Sequence, residues 1–211
     1  MFADREDAGA QLATAVLGLG QLDRPIVPGL PRGGVPVARV VAEALGAPLD
    51  VLVVRKLGAP GHPEFAVGAI GPGGIRVIDP RAVASVGARV DAIAQVEARE
   101  TAELLRREER YRVGRTPLDL TGRTAIVVDD GVATGATAGV ACRVARALGA
   151  GRVILAVPVA PAEWVSRLGD VADEFVAVET PRDFWAVGQH YRDFRQTTDD
   201  EVLEALATSP R

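Results

Sequence analysis

Short apolar runs, rich in β-branched residues, alternate along the 211-residue chain with stretches in which apolar residues follow helical spacing. The runs predict strands at 24–30, 49–54, 126–128, 153–159 and 175–178. The helical spacing predicts an amphipathic helix over 2–19 with a structural role, a helix from 35 or 36 to 45, a long helix over 81–111 and a short one around 163–168. Because strands alternate with helices, the pattern favours an α/β fold with a parallel sheet.

A different pattern lies between the second strand and the long helix. Two predicted strands, 65–70 and 75–78, are joined by a Gly-Pro-Gly-Gly turn, which indicates an antiparallel pair. The preceding residues 58–63 are rich in glycine and proline. This composition predicts a long, flexible connection without regular structure.

Composition narrows the classes of function. A chain of 211 residues is long enough for one α/β domain with a small elaboration. The net charge is −4 and the charges are spread along the chain, which argues against nucleic-acid or membrane partners and favours a small molecule. The N-terminus is acidic rather than signal-like, no apolar run is long enough to span a membrane, and the single cysteine, Cys142, fits a reducing compartment. We therefore expect a cytoplasmic protein.

The most informative stretch runs from Ile126 to Thr137. A buried strand is followed by Asp129 and Asp130, then by small residues that include Thr-Gly-Ala-Thr, and then by an alanine-rich helix. Such a loop lets backbone N–H groups point at a phosphate, and the two carboxylates suit a ligand that also offers hydroxyls or a divalent metal. A sugar phosphate has these properties. The alternatives are an ordinary strand-to-helix turn or the acidic metal-binding pair of receiver domains.

This stretch resembles the signature of the type I phosphoribosyltransferases, which bind phosphoribosyl pyrophosphate. The resemblance implies an α/β fold with a mostly parallel twisted sheet flanked by helices, a mobile flap loop and a small C-terminal hood. Asp129 and Asp130 would face the ribose 2- and 3-hydroxyls. The 5-phosphate would be held by the loop that follows, which consists of Gly131, Val132, Ala133, Thr134, Gly135, Ala136 and Thr137. Mg²⁺ would be held indirectly through the ligand, with Asp129 and Asp130 as candidate direct ligands.

A second loop, Pro31-Arg32-Gly33-Gly34, follows the first predicted strand. Two glycines permit close approach to an anion, and an arginine adds a bidentate donor. Arg32, Gly33 and Gly34 resemble the pyrophosphate loop of the same family, which implies a cis peptide bond between Arg32 and Gly33. The alternative is a glycine-rich turn with a surface arginine.

Arg55 and Lys56 follow the second predicted strand and resemble the Arg-Lys pair of adenine phosphoribosyltransferases. Lys56 is the only lysine of the chain, and we expect it to contact pyrophosphate or the phosphoribosyl oxygens, with Arg55 beside it in the pyrophosphate loop. The alternative is a solvated lysine at the end of a strand. The candidate catalytic residues are therefore Arg32, Lys56, Asp129 and Asp130. His62 is more simply a solvated loop residue.

The last segment gathers four of the nine aromatic residues. Its stretch from Thr180 to Gly188 resembles the base-binding segment of hypoxanthine–guanine phosphoribosyltransferases, so Phe184 or Trp185 would stack on an acceptor. An aromatic clip that packs the tail on the core is an equally good interpretation. The predicted organisation is a core over 1–178, with a flap at 55–79, and a hood or tail over 179–211.

The predicted function is magnesium-dependent transfer of a phosphoribosyl group from phosphoribosyl pyrophosphate to a nitrogenous acceptor such as a nucleobase. Enzymes that act on 6-oxopurines carry an aspartate where this chain has Ala133, so hypoxanthine and guanine are disfavoured. The chain most resembles stand-alone bacterial members whose acceptor is undefined, and family members commonly form homodimers. The alternatives are a non-catalytic regulator that binds phosphoribosyl pyrophosphate or a nucleotide, and a hydrolase that uses His62 or Glu64 to activate water.

Overall fold

The protein is described here by a computed structural model that covers residues 1–87 and 89–208. The helices are α1 (Arg5–Leu17), α2 (Gly34–Leu45), α3 (Pro80–Val86), α4 (Val90–Tyr111), α5 (Ala136–Ala147), α6 (Trp164–Leu168) and α7 (Asp199–Thr208). The strands are β1 (Pro25–Gly29), β2 (Leu49–Val51), β3 (Arg55–Ala59), β4 (His62–Ile70), β5 (Arg76–Ile78), β6 (Thr124–Val128), β7 (Arg152–Val159) and β8 (Glu174–Glu179).

Five strands form the central sheet, in the order β2-β1-β6-β7-β8, and all are parallel. Alternate residues of β6 face opposite sides of this sheet. Ile126 and Val128 join a core cluster with residues of α1, α2 and α7, whereas Val127 joins a second cluster with residues of α5 and α6. Both faces are therefore covered by helices, which explains why the strands are continuously apolar. The predicted α/β fold is confirmed.

The other three strands form a separate antiparallel sheet, in the order β3-β4-β5. The prediction that 58–63 lacks regular structure was wrong. Pro60 and Gly61 occupy the tip of a tight hairpin in which Ala59 is paired with His62. Gly61 has φ +81, so proline followed by a left-handed glycine closes the turn. The glycines of this stretch lie at the hairpin tip and at the register shift beside Gly58, and they do not form a long loop.

The single long helix predicted over 81–111 is two helices, α3 and α4. Gly87 ends α3 in the left-handed conformation, with φ +57, and its N–H donates to the carbonyls of Val83 and Ala84. A glycine in this position stops a helix even where the apolar spacing continues. The first helix is also shorter than predicted, because Asp4 caps it by accepting hydrogen bonds from the N–H groups of Glu6 and Asp7.

The two ends of the described chain meet beside the central sheet. Phe2 is fully buried and pairs with Tyr191, whose ring centroid lies 5.3 Å away, and Tyr191 in turn packs on Phe194 at 4.9 Å. Phe184 stacks on His190, while Trp185 is 88% exposed. Most aromatic residues of the tail thus form the clip that was one of the two interpretations. Residues 209–211 of the predicted tail lie outside the described chain.

None of the helices within residues 1–87 and 89–208 combines the length and the apolar character that a membrane span requires.

Removal of the Phe2 ring tests how strongly this clip holds the N-terminus. Phe2→Ala leaves a cavity in a fully buried site, so we expect the free energy of unfolding to fall by about 3 kcal/mol. Phe65→Ala is the matched control, because Phe65 is 44% exposed and its loss costs less than about 1 kcal/mol. Urea denaturation measures both values. Equal losses for the two variants would contradict the clip.

Candidate active site

Strands β1 and β6 are parallel neighbours, and the two candidate loops leave their carboxyl ends side by side. Gly29 is in register with Val128, and the N–H of Leu30 donates to the carbonyl of Val128 at 2.8 Å. The loop that leads to α2 contains Arg32, and the loop that leads to α5 contains Asp129 and Asp130. In parallel sheets, ligands bind at such adjacent carboxyl ends.

The two loops touch, and glycines make this contact possible. A Cβ atom on Gly33 would lie 2.0 Å from Oδ2 of Asp130, and one on Gly34 would lie 2.8 Å from Cα of Asp129. Neither distance is sterically allowed, so only glycine lets the backbone of one loop approach the carboxylates of the other. The structure brings the Arg-Gly-Gly loop and the aspartate pair together.

The loop after Asp130 is anchored to the central sheet, and its two threonine side chains are exposed. The N–H of Val132 donates to the carbonyl of Val159 at 2.9 Å, which anchors the loop to the end of β7. Gly135 has φ +81 and precedes the first turn of α5. Thr134 and Thr137 are exposed on either side of this helix N-terminus. Exposed hydroxyls and the positive end of a helix dipole form an environment that favours an anion.

Burial and mutual repulsion act on the aspartate pair. Burial raises the pKa of Asp129 well above its ordinary value, and the neighbouring charge of Asp130 raises it further. Burial also raises the pKa of Asp130, although the guanidinium of Arg5 opposes this shift. The pair is thus electrostatically costly in the free protein, as expected for groups arranged to bind a ligand.

Two residues that sequence reasoning did not assign to the site contact Asp130. Nε and Nη2 of Arg5, at the start of α1, donate to Oδ2 of Asp130 at 2.9 and 2.7 Å. The hydroxyl of Tyr191 donates to the backbone carbonyl of Asp130 at 2.6 Å. Arg5 lies in an acidic N-terminal stretch with no recognisable motif, so no sequence signal marked it. The expected purely structural role of the first helix is therefore too narrow.

Arg32 faces the C-terminal helix α7. Its Nη1 atom lies 4.0 Å from Oδ1 of Asp199, and the hydroxyl of Tyr111 donates to the same oxygen. The other oxygen of Asp199, Oδ2, pairs with Arg110 at 2.9 Å. Burial and the bond to Asp199 raise the pKa of Tyr111 to about 12. The cis peptide bond lies between Pro31 and Arg32, so its prediction one bond later was wrong.

A cleft of about 600 Å³ opens beside the two loops, between the β3–β4 hairpin, α4 and the start of α5. Its lining includes Pro31, Lys56 and Thr137. Lys56 therefore borders the same space as both loops. Arg55 also lines this cleft, but its guanidinium is bound to Glu100 of α4, with Nε 2.9 Å from Oε2.

The other four candidates are His62, Glu64, Phe184 and Trp185. His62 is exposed at the hairpin tip. The side chain of Glu64 lies outside the described part of the structure, so its predicted role stays open. Phe184 is engaged with His190, which leaves Trp185 as the exposed aromatic residue of the tail.

The carboxylates at the two loops suit Mg²⁺ only when a bound substrate supplies further oxygen ligands. No three His, Cys, Asp or Glu side chains within residues 1–87 and 89–208 are arranged to hold a metal ion by themselves. Asp129 and Asp130 offer two carboxylates beside the loop from Gly131 to Thr137, whose environment favours an anion. Mg²⁺ commonly binds to one or two carboxylates together with substrate phosphates and water, which agrees with this set.

The sequence matches a known protein family and curated relatives. A profile of the phosphoribosyl transferase domain matches residues 4–189. The chain belongs to this family. A Mycobacterium tuberculosis protein provisionally named as a phosphoribosyl transferase is 54% identical over 213 residues, which cover 100% of this chain and 47% of that protein. The chain thus spans about half the length of the curated relatives it matches.

Solved structures agree with this membership. The crystal structure of the protein TT1426 from Thermus thermophilus is 48% identical, covers 100% of this chain and 99% of its own, and has a TM-score of 0.92. A Neisseria gonorrhoeae protein with bound ppGpp is 14% identical, covers 98% of this chain and 97% of its own, and has a TM-score of 0.51. The second likeness concerns the fold alone. The phosphoribosyltransferase resemblance inferred from the sequence is confirmed.

Asp129→Asn tests the electrostatic cost of the carboxylate pair. Because the folded-state pKa of Asp129 is raised, its ionisation lowers the stability of the wild type as pH rises from about 4 through that pKa. The amide does not ionise, so we expect the thermal midpoint of the variant to exceed that of the wild type at neutral pH and the gain to vanish near pH 4. For a chain of this size, each kcal/mol of relief raises the midpoint by about 2–4 °C.

Asp170→Asn is the control for this measurement, because Asp170 is exposed. Calorimetric scans of both variants between pH 4 and pH 8 separate the site effect from a general change in net charge. A gain of equal size in Asp170→Asn, or one that grows toward low pH, would show that the pair carries no such cost.

Gly33→Ala tests the contact between the loops. The added methyl group would meet Oδ2 of Asp130 at 2.0 Å, so one loop must move and the candidate site between the loops must distort. We expect a loss of about 2 kcal/mol of stability together with the loss of phosphate-ligand binding. In Gly151→Ala, the control, the new methyl group meets nothing closer than 3.5 Å. Chemical denaturation and titration with inorganic pyrophosphate check both variants, and normal binding by Gly33→Ala would rule out the tight contact.

Proposed function

We propose that this protein is a phosphoribosyltransferase that binds phosphoribosyl pyrophosphate with Mg²⁺ and transfers the phosphoribosyl group to a nitrogenous acceptor, with release of pyrophosphate. The observation that carries the proposal is the contact between the Arg32-Gly33-Gly34 loop and the Asp129–Asp130 pair. A glycine-rich loop with an arginine suits a pyrophosphate, and an acidic pair followed by a helix N-terminus suits a ribose 5-phosphate. Phosphoribosyl pyrophosphate contains both groups in one molecule.

In this proposal, the loop from Gly131 to Thr137 binds the 5-phosphate through backbone N–H groups and the hydroxyls of Thr134 and Thr137. The dipole of α5 adds a favourable potential at the same place. Asp129 and Asp130 accept hydrogen bonds from the ribose 2- and 3-hydroxyls. These contacts fix the sugar, so that its anomeric carbon is presented between the leaving group and the acceptor.

The chemical step would depend mainly on charge stabilisation. As the bond between the anomeric carbon and pyrophosphate lengthens, Arg32 and Lys56 stabilise the negative charge that develops on the departing oxygen. The ribosyl centre becomes oxocarbenium-like, and a nitrogen of the acceptor attacks from the opposite face with inversion. Lys56 borders the cleft shared by both loops, which supports this role.

Asp129 and Asp130 would hold Mg²⁺ together with the bound substrate. When bound, the ion supplies charge neutralisation for the leaving group.

For the acceptor, the exposed Trp185 is the better of the two stacking candidates, because Phe184 is stacked on His190. The side chain of Ala133, which lies within the loop from Gly131 to Thr137, offers no proton donor or acceptor. We therefore infer an acceptor whose nitrogen attacks without acid–base assistance from that position, which disfavours 6-oxopurines.

Calorimetric titration with phosphoribosyl pyrophosphate, with and without Mg²⁺, tests the proposal. Ribose 5-phosphate, inorganic pyrophosphate and the four common ribonucleoside monophosphates serve as comparison ligands. Metal-dependent micromolar binding supports the site, and the tightest monophosphate indicates the acceptor base. Binding without turnover in an acceptor screen would favour a regulator of the same ligand. No binding of any phosphoribosyl ligand would refute the proposal.

Substitution of Asp130 or Lys56 tests the roles in turnover. Asp130→Asn removes a ribose acceptor and Lys56→Ala removes a charge near the leaving group, so we expect each to lower kcat by about 100-fold with an identified acceptor. Arg167→Ala is the control, since Arg167 is exposed on α6 and pairs with Glu163. Steady-state kinetics measure the change. Wild-type rates for both site variants would show that the assignment is wrong.

A further inference from the structure

The guanidinium of Arg5 makes contacts on three sides. Its Nε and Nη2 atoms both donate to Oδ2 of Asp130, and its Nη1 atom donates to the carbonyl of Arg195 at 2.8 Å. The centre of the group lies 4.3 Å from the centroid of the Phe194 ring, in cation–π contact. The side chain is 12% exposed. Hydrogen bonds and stacking therefore fix both its position and the orientation of its plane.

Arg5 holds the carboxylate of Asp130 through one of its two oxygens. Both contacts of Arg5 fall on Oδ2, so Oδ1 is the oxygen that Arg5 does not use. The backbone of Asp130 is fixed separately, because its carbonyl accepts the hydroxyl of Tyr191. Together these contacts set the rotation of the carboxylate. A carboxylate oriented in this way meets a ligand hydroxyl without reorganising first.

We propose that Arg5 is a positioning residue for ribose recognition, which orients Asp130 so that Oδ1 accepts a hydrogen bond from a ribose hydroxyl. This inference rests on the proposed function and adds to it a residue from outside the two loops. A side chain at the first position of α1, separated from its partner by 125 residues, thus takes part in substrate recognition.

Contacts other than those of Arg5 also anchor the N-terminal helix. Arg39 of α2 bonds to Glu6 of α1 at 2.6 Å, and the buried Phe2 pairs with Tyr191. The N-terminal ammonium group also lies 2.7 Å from Glu179. These contacts remain available when Arg5 is changed, so an effect on binding can be measured apart from an effect on the position of the helix.

The test compares ligands that contain ribose with one that does not. Titration with phosphoribosyl pyrophosphate, ribose 5-phosphate and inorganic pyrophosphate, all with Mg²⁺, is carried out on the wild type, Arg5→Gln and Arg5→Lys. Arg39→Gln is the matched control, because it also removes a guanidinium that ties α1 in place but does not touch Asp130.

We expect Arg5→Gln to weaken both ribose ligands by about tenfold and to change the affinity for pyrophosphate by less than about twofold. Arg5→Lys keeps one charged donor and lies between Arg5→Gln and the wild type. Arg39→Gln binds all three ligands as the wild type does. An unchanged affinity of Arg5→Gln for the ribose ligands, or an equal loss for pyrophosphate, would overturn the inference.

A double-mutant cycle separates action through Asp130 from direct contact with the ligand. In the Asp130→Asn background, Arg5→Gln should weaken phosphoribosyl pyrophosphate no further. This double variant carries no unpaired buried charge, so it remains a folded reference if Arg5→Gln alone does not fold. A full additional loss in that background would mean that Arg5 binds the ligand itself. If the wild type binds neither ribose ligand, the proposed function fails, whereas normal wild-type binding with an unaffected Arg5→Gln overturns only this inference.

Discussion

The close approach of Gly33 to the carboxylate of Asp130 is the constraint on which the rest of the site depends. It arises because β1 and β6 are parallel neighbours, so their loops emerge at one edge of the sheet. Only glycine at positions 33 and 34 leaves room for this approach. Helix α2 starts from one of the loops and α5 from the other, and Pro31 and Thr137 of these loops line the same cleft.

The charges of this site are balanced by the two ends of the described chain. Asp130 receives a guanidinium from α1, and Arg32 faces a carboxylate of α7. Burial alone would raise the pKa of Asp130, and Arg5 opposes that shift. Removal of one member of a buried ion pair is costly because the other is left without compensation. The terminal helices thus contribute to the electrostatics of the loops as well as to the packing of the core.

The sequence predicted the parts that depend on local patterns. Strand β6, the loop from Asp129 to Thr137 and the start of α5 follow from apolar runs, small residues and helix propensity that lie next to each other in the chain. Contacts between residues far apart in the sequence left no such signal: Arg5 bonds to Asp130, and Arg112 pairs with Asp50. Gly87 and Gly61 were misjudged because a left-handed glycine ends a helix or closes a hairpin while the surrounding composition stays the same.

Packing of the tail links the loop that follows Asp130 to the segment that carries the exposed Trp185. A Cβ atom on Gly131 would lie 2.5 Å from Cγ1 of Val187. The segment that carries Trp185 therefore packs directly on the start of the loop from Gly131 to Thr137. Tyr191, four residues after Val187, donates to the carbonyl of Asp130. Since close-packed groups transmit displacement rather than absorb it, a shift of this segment must move the loop or open a gap. Under the proposed function, the segment that would meet the acceptor and the loop that would bind the ribose therefore pack against each other at Gly131 and are bonded through Tyr191.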